Sequence, residues 1–336
     1  MKKALIWIFT ALFLYSGQSK KWTKILDLKQ QASPHYTLYL PSDMKFDEKG
    51  NVYVLDFRGC FLRKYSREGK FLGEAGRKGN GPGEFRAPFK IFVEGGRVYV
   101  WDINLKRLSV FDAHLNYMDS YHLPFNINDF FLHQGKIYAS VSSPHELANI
   151  FVIDMKGKVL RKILPGLPPY LRKDKWLFLN KVRFGFMLLG YNRNLKIAAV
   201  TFRGYDPRNF LYVFSPGKTD AKIIPLNFIK NYKFPDFLLR VPLKYPPRSV
   251  QILVESLHVL DRGDFLIVLL KKEMERKKAI QNETLLIILS EEGKVLSKKV
   301  LQGVWRVYDV KGCDVLLKNM EDEDEIFQIW RMSYEK

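Results

Sequence analysis

The stretch from Phe46 to Val110 reads FDEKGNVYVLDFRGCFLRKYSREGKFLGEAGRKGNGPGEFRAPFKIFVEGGRVYVWDINLKRLSV, and it states one strand-and-turn unit almost twice. Gly50-Asn51-Val52-Tyr53-Val54-Leu55-Asp56 is answered by Gly96-Arg97-Val98-Tyr99-Val100-Trp101-Asp102. Each copy is followed by a second apolar strand, ending in Lys64-Tyr65 or Val110-Phe111. Short runs rich in β-branched and aromatic residues, punctuated by Asp, Gly and Lys, are the pattern of antiparallel strands joined by tight turns.

The unit recurs down the chain. Matching positions fall at Val54, Val100, Ala139, Val200, Val268 and Leu316, at intervals of 46, 39, 61, 68 and 48 residues. A period of about 40 to 50 residues with four strands per unit is the signature of propeller blades. The sequence therefore predicts an all-β fold, a six-bladed β-propeller of four-stranded antiparallel blades. Two long intervals coincide with insertions, Pro165 to Arg183 in one case, and Lys230 to Arg248 with the charged run Lys271 to Lys278 in the other. The sixth unit ends after three strands, while Trp22 to Leu28 alternates like a strand that belongs to no unit. Joining the two in one blade closes the ring and removes exposed sheet edges.

At 336 residues and 47% apolar content the chain can bury a large core. Lys2 and Lys3, the apolar run Ala4 to Tyr15 and the small or polar Ser16 to Ser19 have the form of a secretory signal peptide, with cleavage expected near Ser19. The apolar run is shorter than the roughly 20 residues of a membrane span, and no Cys follows it to carry a lipid. The expected domains are a signal peptide at 1–19 and a propeller at 20–336, in a periplasmic or extracellular protein. Two cysteines, Cys60 and Cys313, fall at opposite ends of antiparallel strands and are expected to be unpaired, mostly buried thiols. The formal charge of +20 is spread along the chain rather than clustered. That distribution fits a generally basic surface better than a nucleic-acid footprint.

The link Gly76-Arg77-Lys78-Gly79-Asn80-Gly81-Pro82-Gly83-Glu84-Phe85 with Pro88, followed by Val98 to Asp102 and Leu105-Lys106-Arg107-Leu108-Ser109-Val110-Phe111, resembles the NHL repeat. The likeness is specific across Phe46 to Phe111 and holds only as a pattern beyond Leu123. The resemblance implies a secreted bacterial six-bladed propeller of the NHL-related kind, many of which have no assigned activity.

Several stretches invite a chemical reading. Gly76 to Gly83 lacks the Gly-Lys-Ser/Thr ending of a phosphate loop and leads into a strand, so it reads as a tight link between blades. Asp56 and Asp102 end equivalent strands; an Asp repeated at that place reads as a cap for turn N–H groups rather than a catalytic or metal-binding carboxylate. His35, His114, His122, His133, His145 and His258 show no ligand spacing. The run Glu321 to Glu325 reads as a solvated loop, because adjacent carboxylates repel. Tyr170 to Phe184 interleaves basic and aromatic residues, a surface suited to an anionic glycan, envelope or protein partner.

No residue is thereby assigned to catalysis, metal or cofactor binding. The sequence points to a monomeric, exported binding or protein-interaction module without a cofactor. The alternative is an extracytoplasmic hydrolase or lyase with its site at the channel mouth.

Overall fold

In the computed structural model the described residues are 20–31, 33–141, 150–163, 187–202, 210–218, 221–226, 248–275 and 278–334. They form six antiparallel sheets of four strands each, the blades of a six-bladed β-propeller. The first strand of the chain, β1 (Lys20–Lys29), stands apart from the blade that follows it.

Blade 1 comprises β2 (Pro41–Phe46), β3 (Val52–Asp56), β4 (Phe61–Tyr65) and β5 (Phe71–Ala75). Blade 2 comprises β6 (Pro88–Glu94), β7 (Arg97–Asp102), β8 (Arg107–Asp112) and β9 (Tyr117–His122). Blade 3 is β10 (Ile127–His133), β11 (Lys136–Val141), β12 (Ile150–Ile153) and β13 (Val159–Ile163). Blade 4 is β14 (Met187–Asn192), β15 (Ile197–Phe202), β16 (Phe210–Phe214) and β17 (Ala221–Pro225). Blade 5 is β18 (Arg248–Val259), β19 (Phe265–Glu275), β20 (Lys278–Leu289) and β21 (Val295–Gln302). Blade 6 adds β22 (Trp305–Lys311), β23 (Asp314–Asn319) and β24 (Glu325–Tyr334), and β1 pairs with β24 to complete it.

Strand position follows from sequence pattern. β3 is buried at all five residues, because middle strands are covered on both faces by neighbouring blades, whereas the outermost β5 alternates half-buried and exposed. The turns are written in local chemistry. Asp47 Oδ1 accepts the N–H groups of Lys49 and Asn51, both at 2.9 Å, and Gly50 takes a φ of +87° that other residues rarely adopt. Asp112 repeats the device in blade 2, with the N–H groups of His114 and Asn116 at 2.8 Å.

The innermost strands β2, β6, β10, β14, β18 and β22 touch one another in that order and close back on β2. Six apolar clusters fill the six seams between blades. Val54, Met44 and Phe327 lie in the seam between blades 6 and 1, and Leu266, Val315 and Met332 in that between blades 5 and 6. Blade-to-blade packing therefore runs unbroken round the ring, and the strand supplied by the N-terminus is part of it, since Leu28 is buried in the first of these seams.

Three expectations are corrected. The run Lys271 to Lys278 is not a separate insertion: Lys271 to Glu275 extend β19 and Lys278 begins β20, so the inner three strands of blade 5 reach 12, 11 and 12 residues. Cross-strand charge replaces apolar packing there, with Lys271 Nζ 2.9 Å from Glu283 Oε2. Both cysteines are unpaired, but only Cys60 is buried, whereas Cys313 sits in the exposed turn before β23. Glu325 does not share the solvated loop of its acidic neighbours: it is 1% exposed, at the start of β24. Its carboxylate accepts the Asn319 N–H and the Gln328 side-chain amide, both at 2.6 Å.

The insertion Pro165 to Arg183, its aromatic-basic segment Tyr170 to Phe184, His145, the first 19 residues, and Lys230 to Pro247 lie outside the described residues. Among the described residues no helix is long and apolar enough to cross a membrane.

Candidate functional site

The innermost strands surround a central cavity of about 500 Å³. One irregularity repeats around it. The pairing of each innermost strand with its neighbour shifts register at Ser42, Phe89, Asn128, Glu255 and Tyr308, in five of the six blades. A β-bulge inserts one residue and re-aims the side chains beside it. All five residues line the cavity, as do Asp43, Lys90, Asp129, Ser256 and Asp309, which follow them.

Three aspartates in this ring do the same job. Each spans the seam to the next blade and accepts a backbone N–H from its innermost strand. Asp43 Oδ2 receives Ile91 N at 3.0 Å, Asp129 Oδ2 receives Leu189 N at 3.2 Å and Asp309 Oδ2 receives Phe46 N at 2.9 Å. Lysines neutralise them. Lys90 Nζ lies 3.8 Å from both Asp43 and Asp129, and Lys45 Nζ lies 3.4 Å from Asp309 while donating to the Tyr308 carbonyl at 3.0 Å. Burial works against the charge on Lys45, but Asp309, Asp43 and Asp129 outweigh it and hold the ammonium above its ordinary range. Burial pushes the Asp309 carboxyl up, with Lys45 opposing.

Two further groups face the cavity from blades 5 and 6. His258 Nε2 lies 3.1 Å from Ser256 Oγ on the same strand. Burial, then the ammonium groups of Lys45 and Lys90, lower the His258 pKa to about 3, against a hydrogen bond with the Val307 backbone. Arg306 on β22 lies with its guanidinium carbon 5.8 Å from the Tyr308 ring centre. Burial opposes its charge, and Tyr308 and Glu255 more than offset that.

The neutral His258 has a consequence for stability. An unfolded imidazole titrates near pH 6.5, so between that pH and about 3 the unfolded chain binds the extra proton and stability falls as pH drops. This group alone contributes a slope of about 1.4 kcal/mol per pH unit. His258→Gln should flatten the pH dependence of urea unfolding between about pH 6 and pH 4. An unchanged slope would show that His258 is charged in the folded protein.

The residues singled out in the sequence fall elsewhere. Asp56 and Asp102 are fully buried and cap loops, as their repetition suggests. Asp102 Oδ2 accepts Arg86 N at 2.6 Å and Ala87 N at 2.9 Å, and its Oδ1 accepts Asn104 N and Leu105 N at 3.0 Å. Asp56 does the same for Tyr39, Leu40 and Gly59. The link Gly76 to Gly83 is clamped by Arg107, which donates to the carbonyls of Asn80 at 2.8 Å, Gly81 at 2.9 Å and Glu84 at 2.5 Å. Asp322, within the acidic run, pairs with Lys29 of β1. Of the histidines among the described residues only His258 reaches the cavity; His133 meets the Tyr191 hydroxyl at 2.8 Å and His35 stacks on Phe71. Among the described residues no group of three or more His, Cys, Asp or Glu is placed to hold a metal ion.

Comparison with known proteins agrees with this architecture. The profile of a family described as 6-bladed beta-propeller (DUF5128) matches residues 41–167. No curated protein sequence matches the chain. A member of the DUF4221 family from Bacteroides vulgatus superposes with a TM-score of 0.63 at 15% identity, covering 95% of this chain and 100% of that one. A Bacteroides fragilis protein named as a candidate exported protein gives 0.57 at 12% identity, covering 96% and 97%. A luciferin-regenerating enzyme gives 0.50 at 10% identity, covering 94% and 95%. At these identities the likeness is one of fold: the chain is a six-bladed β-propeller, similar over its first three blades to the family of that description.

Proposed function

We propose that the chain is exported, cut near Ser19, and acts as a monomeric binding module of the NHL-like propeller type, with its ligand seated in the central channel. The signal-like N-terminus and the NHL-like link and strand motifs support the first part. The observation that carries the second is the commitment of the channel aspartates. Asp43, Asp129 and Asp309 are each tied to a backbone N–H of the next blade and neutralised by a lysine. Carboxylates so held build the wall of a polar cavity; they are not poised to take up a metal or to exchange a proton with substrate. Intact mass and metal content of the mature protein test this together. The expected result is a chain lacking the first 19 residues and carrying no stoichiometric metal. A stoichiometric ion would shift the assignment to a metal-dependent propeller enzyme, and an uncut chain would contradict export.

One observation favours a second reading. Ser256 and His258, hydrogen-bonded in the cavity, have the arrangement of a nucleophile and its base, as in a hydrolase. A base whose conjugate acid titrates at about 3 is weak at neutral pH, which sets this reading behind the first. Should His258 titrate near 7, the order reverses.

A further inference from the structure

The three cations of the cavity among the described residues are not equivalent. Lys45 and Lys90 are held by Asp309 and by Asp43 with Asp129. Arg306 enters no ion pair among the described residues: its neighbours are the Tyr308 hydroxyl and ring and, through space, Glu255 and Asp43. A guanidinium has five N–H donors in a planar fork that matches a carboxylate. Most of that fork has no partner among the described residues. Phe57, Phe89, Leu188 and Leu257 line the same cavity, so the space around the fork has an apolar as well as a polar wall.

Beside the mouth, the described loops of blades 1 and 2 carry the matching sign. Phe57 and Ile103 mark the end of the cavity where the links between blades run. The loops that carry them also expose Arg58 and Lys106, and Arg86 is exposed on the adjoining link. A mouth lined by one sign of charge raises the local concentration of the opposite ion and its rate of entry.

We infer that the channel, read as the binding site proposed above, takes a small organic carboxylate with an apolar body, the carboxylate held by Arg306 and the body by the phenylalanine and leucine side chains. The volume of about 500 Å³ admits a ligand of one or two rings.

The test uses 1-naphthoate as probe, with neutral 1-naphthamide as its uncharged isostere, on the mature chain and on Arg306→Met, which keeps the volume and removes the fork. Binding is read by calorimetry or by probe fluorescence, and folding by thermal melting. A charge-assisted fork predicts one site per chain and about tenfold or more tighter binding of naphthoate than naphthamide. That difference should vanish in Arg306→Met while the melting temperature and naphthamide binding persist. Equal binding of both probes by the native chain overturns the carboxylate assignment and leaves the channel as a binding site. Binding at several sites, or unaffected by Arg306→Met, overturns it as well, by placing the anion on the basic outer surface. Failure of both probes to bind counts against the inference and against the channel as a ligand seat. An Arg306→Met chain that does not fold is replaced by Arg306→Lys, which keeps the charge without the fork and should lose most of the preference.

Discussion

Deleting residues 20–29 should lower the midpoint of thermal unfolding by about 8 °C or more. β1 is the outer strand of the last blade, and its ladder with β24 runs from the Lys20–Tyr334 pair to the Lys29–Glu325 pair. It also carries apolar side chains into two seams, Leu28 and Leu26 between blades 6 and 1 and Trp22 between blades 5 and 6. Full burial of a large apolar side chain stabilises by about 1.5 to 3 kcal/mol; Leu28 is buried and Leu26 and Trp22 are half-buried, and together with the lost backbone ladder they contribute about 5 kcal/mol or more. At about 1.5 °C per kcal/mol for a chain of more than 300 residues, the predicted fall follows. The deletion also bares the edge of β24, so the truncated protein should associate. Ile25→Ser is the control: Ile25 is 41% exposed and should change the midpoint little. An unchanged midpoint in the deleted chain would show that the ring does not depend on this closure.

Asp102→Ala should cost about 4 kcal/mol in denaturant unfolding, and Asp102→Asn about half as much. The carboxylate is fully buried and accepts four backbone N–H groups, two from the incoming link and two from its own loop. Orphaned buried donors cost about 1 to 3 kcal/mol each, less where water reaches them. The asparagine variant keeps one accepting oxygen and presents a donor to the other pair of N–H groups, which is why it should fall between. Asp56, which accepts three, should behave alike with a smaller loss. A change below about 1 kcal/mol in the alanine variant would contradict the capping role. Loss of a bound metal in its place would make Asp102 a ligand.

The fold was legible because its signals are local. Repeated Asp at strand ends, Gly at positive φ in the turns and buried runs such as Val52 to Leu55 each have one structural meaning, and their period counts the blades. The unpaired alternation of Trp22 to Leu28 identified the closing strand for the same reason. The channel was not legible. Its residues stand at bulges, where the strict two-residue alternation of a strand fails, and the inserted residue differs in each of the five blades that have one: Ser42, Phe89, Asn128, Glu255, Tyr308. Repetition exposes what the blades share, while the ligand seat is made of what they do not. Lys271 to Lys278 misled in the opposite way, since charge looks like a loop until Glu283 is seen across the ladder from Lys271. A signal that could have found the channel is the run of inner-strand pairs Ser42-Asp43, Asn128-Asp129 and Tyr308-Asp309, each a polar residue followed by Asp at the same place in its blade.

A crystal structure of the mature protein with 1-naphthoate tests most directly whether the channel is the place where a ligand binds. The predicted result is one probe per chain in the central cavity, its carboxylate on Arg306 and its rings against Phe57 or Phe89. An empty channel with the probe on an outer face of the ring would contradict it.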